Sequence, residues 1–150
     1  MDLILWRHAD AQDSDNDMAR ALTAKGRKQA ERMALWLKPR LPESTRILVS
    51  PAVRALQTAD ALELDYEVIP NIAPGAMGVQ VLSASGWPDA TGTVLLIGHQ
   101  PTLGEAASVL LFGETRDLNI KKGGLLWLTN RVRGSQPQTI LKAAMSPDVV

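Results

Sequence analysis

Two histidines and a few arginines are the residues of this chain best suited to chemistry, and each imidazole stands where an apolar run breaks off. Arg7-His8 interrupts the run "LILW", and His99 follows the run "VLLIG". Between them, "SPAVRALQTA" opens on Ser50-Pro51 and carries Arg54 about one turn into a helical pattern, while Arg20 precedes another. A guanidinium is a fixed fork of donors that matches phosphate oxygens. Helix starts add unsatisfied N–H groups and partial positive charge. Two imidazoles and several arginines around one point therefore suit phosphoryl transfer, which needs mainly positioning and charge neutralisation. A nucleophile must still be found. The chain has no cysteine and no G-x-x-x-x-G-K-[ST] loop. An imidazole is the best candidate, being largely neutral at neutral pH with a reference pKa of about 6.5. Its second nitrogen must then keep its proton, held by a backbone carbonyl.

For these groups to meet, their strands must end together. "DLILW" (2–6), "RILVS" (46–50) and "TVLLIG" (93–98) are unbroken apolar runs of strand length, as expected of strands covered on both faces. Residues 10–21 read as a polar loop. A helix then starts at Thr23 and ends at Pro39, with Ala30, Met33, Ala34 and Leu37 on one apolar face; Gly26 stands where a capping box would have Glu. The spacing predicts a second helix capped by Ser50 with Pro51 in first position and Ala55, Ala59 and Leu62 inward. It also predicts a short strand at 66–70, a helix at 77–85, and a helix from Pro101 to Gly113 with Leu103, Ala106, Ala107 and Leu110 inward. "GGLLWLTNRV" and "QTILKAAMSP" read as a closing hairpin. The expectation is one α/β domain over residues 1–150, three layers α/β/α, with a mostly parallel central sheet and an antiparallel edge. Ligands of such sheets bind beyond the carboxyl ends of the strands. There, three strand ends deliver Arg7 and His8, Ser50 with Arg54, and His99, and Arg20 can join from its loop.

The bulk properties narrow the choice. Sixteen basic and sixteen acidic residues cancel, so neither nucleic acid nor a membrane surface is an expected partner. No apolar segment approaches the ~20 residues of a membrane span, and no signal peptide is read at the N-terminus. With cysteine absent, a cytoplasmic location is expected. "DSDNDM" (13–18) resembles a calcium loop in composition only. His8, Asp10 and His99 are thin as a metal site, and the arginines would repel a cation, so neither metal nor cofactor is expected. Asp10 reads as a cap or an arginine partner, Trp6 and Trp127 as core or rim aromatics, and Lys121-Lys122 as solvated surface.

"RHADA" (7–11), "ALTAKGRKQA" (21–30), "SPAVRALQTA" (50–59) and "GHQPTLG" (98–104) resemble, in order and spacing, the motif segments of the histidine phosphatase superfamily. The short chain and the RHA-acid-A form are similar to its small SixA-type phosphohistidine phosphatase branch. The resemblance runs nearly to "AMSP" (144–147) and implies a phosphoglycerate mutase-like fold. It implies His8 as the nucleophile that becomes phosphorylated, Arg7 and Arg54 as phosphate holders, Arg20 as a further phosphate contact, and His99 as a donor to the same group. Ala9 replaces a glycine common in the superfamily, and Asp10 stands where the branch often has Glu. Many relatives place an acid after the strand matching 66–70; here the stretch is "NIAPGAMG", with Asn71 at that position and no carboxylate through Gly86. An amide cannot protonate a leaving alkoxide. The imidazole of a phosphohistidine, with a pKa near ~7, leaves with little help. Only about two dozen residues separate the strands at 66–70 and 93–98, which leaves little to lid the site. The implied partner is therefore a histidine-phosphorylated protein such as a phosphotransfer domain, with phosphate or sulfate fitting the pocket. A loop carboxylate (Asp10, Asp13, Asp15 or Asp17) as acid, a small-molecule phosphomonoesterase, a metal-dependent phosphoesterase and a non-catalytic phosphoprotein binder are the alternatives.

Overall fold

The computed structural model describes residues Met1–Val150. Its sheet has six strands: β1 (Asp2–Arg7), β2 (Arg46–Val49), β3 (Glu67–Val68), β4 (Thr93–Gly98), β5 (Leu125–Arg133) and β6 (Gln136–Met145). Their order is β3-β2-β4-β1-β5-β6. The β3-β2-β4-β1 part is parallel, and β5 and β6 add an antiparallel edge. The four α-helices are α1 (Ala24–Leu37), α2 (Val53–Asp60), α3 (Gly78–Ser85) and α4 (Thr102–Phe112).

The apolar runs are unbroken because both sheet faces are covered. Ile4, Trp6, Ile47, Val49, Leu95 and Ile97 form one core with Met33 and Leu37 of α1 and Ala55 and Ala59 of α2. Their alternates Leu3, Leu5, Leu48, Val94 and Leu96 form the other with Val81 of α3 and Leu103, Ala106 and Ala107 of α4. The period of two along each strand thus sorts side chains into two cores and yields the three layers.

Local signals explain the helix ends and the places where they shift. Thr23 caps α1, its side chain accepting from Gly26 N, and Gly113 closes α4 in the left-handed conformation (φ 78°). Gly26 is required for packing: a Cβ there would overlap the carbonyl of Asp10, so the helix presses directly on the chain leaving β1. Ser50 does not cap α2. That helix starts at Val53 with Ala52 as N-cap, and Pro51 lies in the bend with Ala52 before it rather than in first helical position. The strand expected over 66–70 shrinks to Glu67–Val68, because Pro70 starts a 3-10 turn reaching Ile72. Leu62 is buried just past the end of α2, and Leu110 is only half-buried. No helix is long and apolar enough to cross a membrane.

Candidate active site

Strand register brings the two histidines together. In the parallel β1–β4 ladder, Arg7 faces Gly98 and His8 N donates to Gly98 O at 3.0 Å. One step further along both strands, the rings of His8 and His99 lie side by side, their centroids 5.1 Å apart. The β2–β4 ladder sets Val49 opposite Ile97, so the next residue of β2, Ser50, reaches His99, with Oγ and Nε2 2.6 Å apart. Arg54, in the first turn of α2, completes the cluster by donating from Nε to His8 Nε2 at 3.2 Å. His8, His99 and Arg54 are all buried, at 7%, 4% and 4% exposure.

The hydrogen bonds assign the tautomers. His8 Nδ1 lies 2.7 Å from Ala9 O, an acceptor, so Nδ1 carries the hydrogen and Nε2 keeps its lone pair. Ser50 Oγ accepts from Ala52 N at 3.3 Å, and we take its own hydrogen to point at His99 Nε2. His99 then holds its proton on Nδ1, which is buried with no partner. An N–H left unmet inside a cluster of cations is a donor in want of an anion. Burial pushes the His8 pKa down to about 4, with Arg54 and Arg7 adding repulsion. Burial, then His8 and Arg54, pushes His99 to about 3. Both rings are neutral at neutral pH: the His8 Nε2 lone pair accepts from Arg54 Nε, and His99 carries a neutral N–H.

Arg7 is anchored from the opposite side, its Nη1 donating to Ile120 O at 2.8 Å while Nε is buried without a partner. Arg20 sits further out. Its Nε donates to Gln12 O at 2.7 Å, and it meets the cluster only through Asp17, 3.3 Å from Nη1. Asp17 is the residue that sequence reasoning underrated. A 3-10 turn at Asp17–Ala19 carries it onto Arg54, whose Nη2 meets Asp17 Oδ2 at 3.1 Å and whose Nη1 meets Asp17 O at 2.7 Å. The i,i+3 spacing of acid and base in "DMAR" was the available signal for half of this arrangement. Asp10 pairs with Lys122 (2.8 Å) rather than with an arginine, and accepts from Thr23 Oγ1 at 2.8 Å. Asn71 lies exposed in the turn after β3, in a groove with Val79 and Gln80. No three His, Asp or Glu side chains converge as a metal site would require.

A buried imidazole lone pair, a facing neutral imidazole and a guanidinium paired with an exposed carboxylate stand together just beyond β1, β4 and β2. The chain matches the histidine phosphatase superfamily (branch 1) over residues 3–77, and is 38% identical to the phosphohistidine phosphatase SixA of Escherichia coli K12 over 128 residues, 77% of each chain. This protein belongs to the histidine phosphatase superfamily. It is also 32% identical to a SixA homolog of Haemophilus influenzae, across 87% of this chain and 91% of that one. Among solved structures, SixA complexed with tungstate superposes with a TM-score of 0.79 at 28% identity, covering 99% and 98% of the two chains. The expected α/β fold with an antiparallel edge is the fold of these relatives.

Proposed function

We propose that this superfamily member is a metal-independent phosphohistidine phosphatase that works through a phosphorylated His8. The observation that carries the reading is the His8 ring itself, with Nδ1 tied to Ala9 O and the Nε2 lone pair turned to Arg54, whose Nε must pass to the phosphoryl group for Nε2 to attack. In the proposed cycle the Nε2 lone pair forms a bond to phosphorus, and the bond from phosphorus to the substrate imidazole nitrogen breaks. That imidazole departs neutral, because its other ring nitrogen carries a proton. Arg7 and Arg54 hold the phosphoryl oxygens, Arg20 is a further contact, and His99 donates from Nδ1 to an oxygen whose charge develops. Water then attacks phospho-His8, releasing phosphate and restoring the neutral ring.

The leaving group chooses among substrates. An alkoxide needs a protonated acid, and Asn71 is not one. Two loop carboxylates approach the cluster, and neither is suited to hold a proton. Burial works to raise the Asp17 pKa, but hydrogen bonds from Arg54 and Arg20 outweigh it and hold the group below its ordinary value. Lys122 and Thr23 do the same to Asp10. A phosphohistidine needs no such acid. Likeness to SixA and to its tungstate complex supports a phosphohistidine substrate and a tetrahedral oxyanion in the pocket. Between β3 and β4 stand only a 3-10 turn and α3, which leaves the mouth open to a protein-borne histidine in the cytoplasm. The test compares a histidine-phosphorylated protein, a phosphoserine peptide and a sugar phosphate, with trapping of an acid-labile phosphoenzyme. Phosphohistidine turnover should lead clearly, with phosphate on His8, and His8→Ala should abolish it in a folded protein. Appreciable turnover by that variant, or equal rates on all three substrates, would overturn the proposal.

A further inference from the structure

Beside the catalytic cluster runs a groove of about 620 Å³ whose walls are cationic. Lys25, Lys28 and Arg32 line one side, and Lys121 and Lys122 the other, with Asp148 the one acid among the lining residues. On a chain with sixteen charges of each sign, five lining cations against Asp148, and Asp10 just outside the lining, is a local excess of positive charge. Residues 25, 28 and 32 fall on one face of α1, distinct from the Ala30, Met33, Ala34 and Leu37 stripe that meets the core. Lys121 and Lys122 are each held by an acid, Asp148 at 2.9 Å and Asp10 at 2.8 Å, whereas Lys25 and Lys28 have no ion-pair partner.

The groove and the nucleophile share a backbone. Arg7 N donates to Gly124 O at 2.9 Å, and Gly123 N donates to His8 O at 3.0 Å, so the turn bearing Lys121 and Lys122 is bonded to the end of β1. From the other wall, Gln29 Oε1 accepts from Asp10 N at 2.9 Å. Both walls therefore stop at the two residues flanking Ala9. A polypeptide presenting a histidine to His8 would lay its neighbouring residues along this groove.

We propose that the groove docks an acidic stretch flanking the target histidine, so that the partner is recognised by carboxylates next to its phosphohistidine. This rests on the phosphohistidine reading above. Charge complementarity selects the occupant: fixed cations along a wet groove attract clustered Asp and Glu and raise the rate of encounter, with strong salt dependence. The catalytic arginines select the phosphate, and the groove selects the chain that bears it.

The test uses two synthetic peptides phosphorylated on a single histidine, one flanked by four Asp or Glu residues and one by Asn and Gln. At low salt the wild-type protein should hydrolyse the acidic peptide with a kcat/KM about tenfold higher, within the range that electrostatic steering supplies. The preference should fade at 0.5 M salt, where screening shortens to about 4 Å. Lys25→Glu/Lys28→Glu should erase the preference while leaving the neutral peptide's kcat/KM unchanged; Lys25→Gln/Lys28→Gln should remove most of it without reversed charge. Melting temperatures of both variants check the fold. The unphosphorylated acidic peptide, followed by fluorescence anisotropy, should bind the wild type more tightly than the double Glu variant. Equal turnover of the two peptides by the wild type overturns the docking proposal and leaves the phosphohistidine reading standing. So does a parallel loss on both peptides in the variants. Hydrolysis of neither peptide, with anisotropy intact, overturns the phosphohistidine reading and with it the groove's part in substrate choice.

Discussion

If Arg54 holds phosphate as proposed, Asp17 occupies the donors that an incoming phosphate would use, so replacing it with asparagine should tighten phosphate binding. The size of the effect follows from exposure. The Arg54 side chain is 5% exposed but that of Asp17 is 55% exposed, which places the pair with surface ion pairs despite one buried partner. Such pairs contribute about 0.2–1 kcal/mol. The contact from Arg54 Nη1 to the backbone oxygen of Asp17 survives the substitution, so Arg54 keeps its place. Removing a competitor worth up to about 1 kcal/mol should lower the inhibition constant of inorganic phosphate or orthovanadate by up to about fivefold. The fold should lose at most a similar amount, a melting shift of about 2–4 °C for a chain of this size. Competitive inhibition and calorimetric titration at low and high salt would measure it. The gap between wild type and Asp17→Asn should narrow as salt rises, because an exposed charge is screened. Since Asp17 has a lowered pKa, the carboxylate competes in full at pH 5–8 and the effect should be flat there. Phosphate bound equally or more weakly by the variant would refute the displacement argument and make Asp17 a residue that aims the arginine.

Ser50→Ala should lower kcat with little change in KM, because it frees His99 to move its proton to Nε2 and withdraw the Nδ1 donor; an unchanged kcat would remove Ser50 from the proton arrangement. Both histidines titrate lower in the fold than in the unfolded chain, so the unfolded state takes up protons first as pH falls. Stability is complete above pH 6.5 and should decline from there towards pH 4, by roughly 3 kcal/mol for His8 alone, while carboxylate losses set in only lower. His99→Asn should flatten part of this slope in melting curves taken across that window; an unaltered slope would contradict the burial argument. Gly26→Ala should cost about 1–3 kcal/mol through its clash with the Asp10 carbonyl, although helix propensity alone favours alanine by up to about 1 kcal/mol. The sign of the melting shift decides which effect wins.

The parallel strands were legible because burial on both faces leaves no polar residue in the run, and "TVLLIG" is buried throughout. Thr23 and Gly113 were legible because each solves a local problem of unpaired backbone groups or positive φ. Ser50 misled for the same reason. A serine before a proline and a helical pattern is a cap by local rules, but a strand register 49 residues away in sequence offered its hydroxyl a buried histidine. The shortened β3 reflects Pro70 taking the chain into a turn where the apolar pattern alone suggested more strand. That His8, Arg54 and His99 lie together follows from three apolar runs ending at one sheet edge. The Asp17 and Lys122 contacts were not readable, because long-range pairing of exposed charges leaves no periodic trace.

The ladder between β1 and β4 works as a ruler. Both imidazoles hang one residue beyond facing, hydrogen-bonded positions, so the spacing of their backbone anchors is measured out by main-chain geometry. Diversification of this scaffold must then happen elsewhere, in the segments at 10–21 and 120–124 that frame the rings. New substrates can be tried there while the two rings keep their anchors.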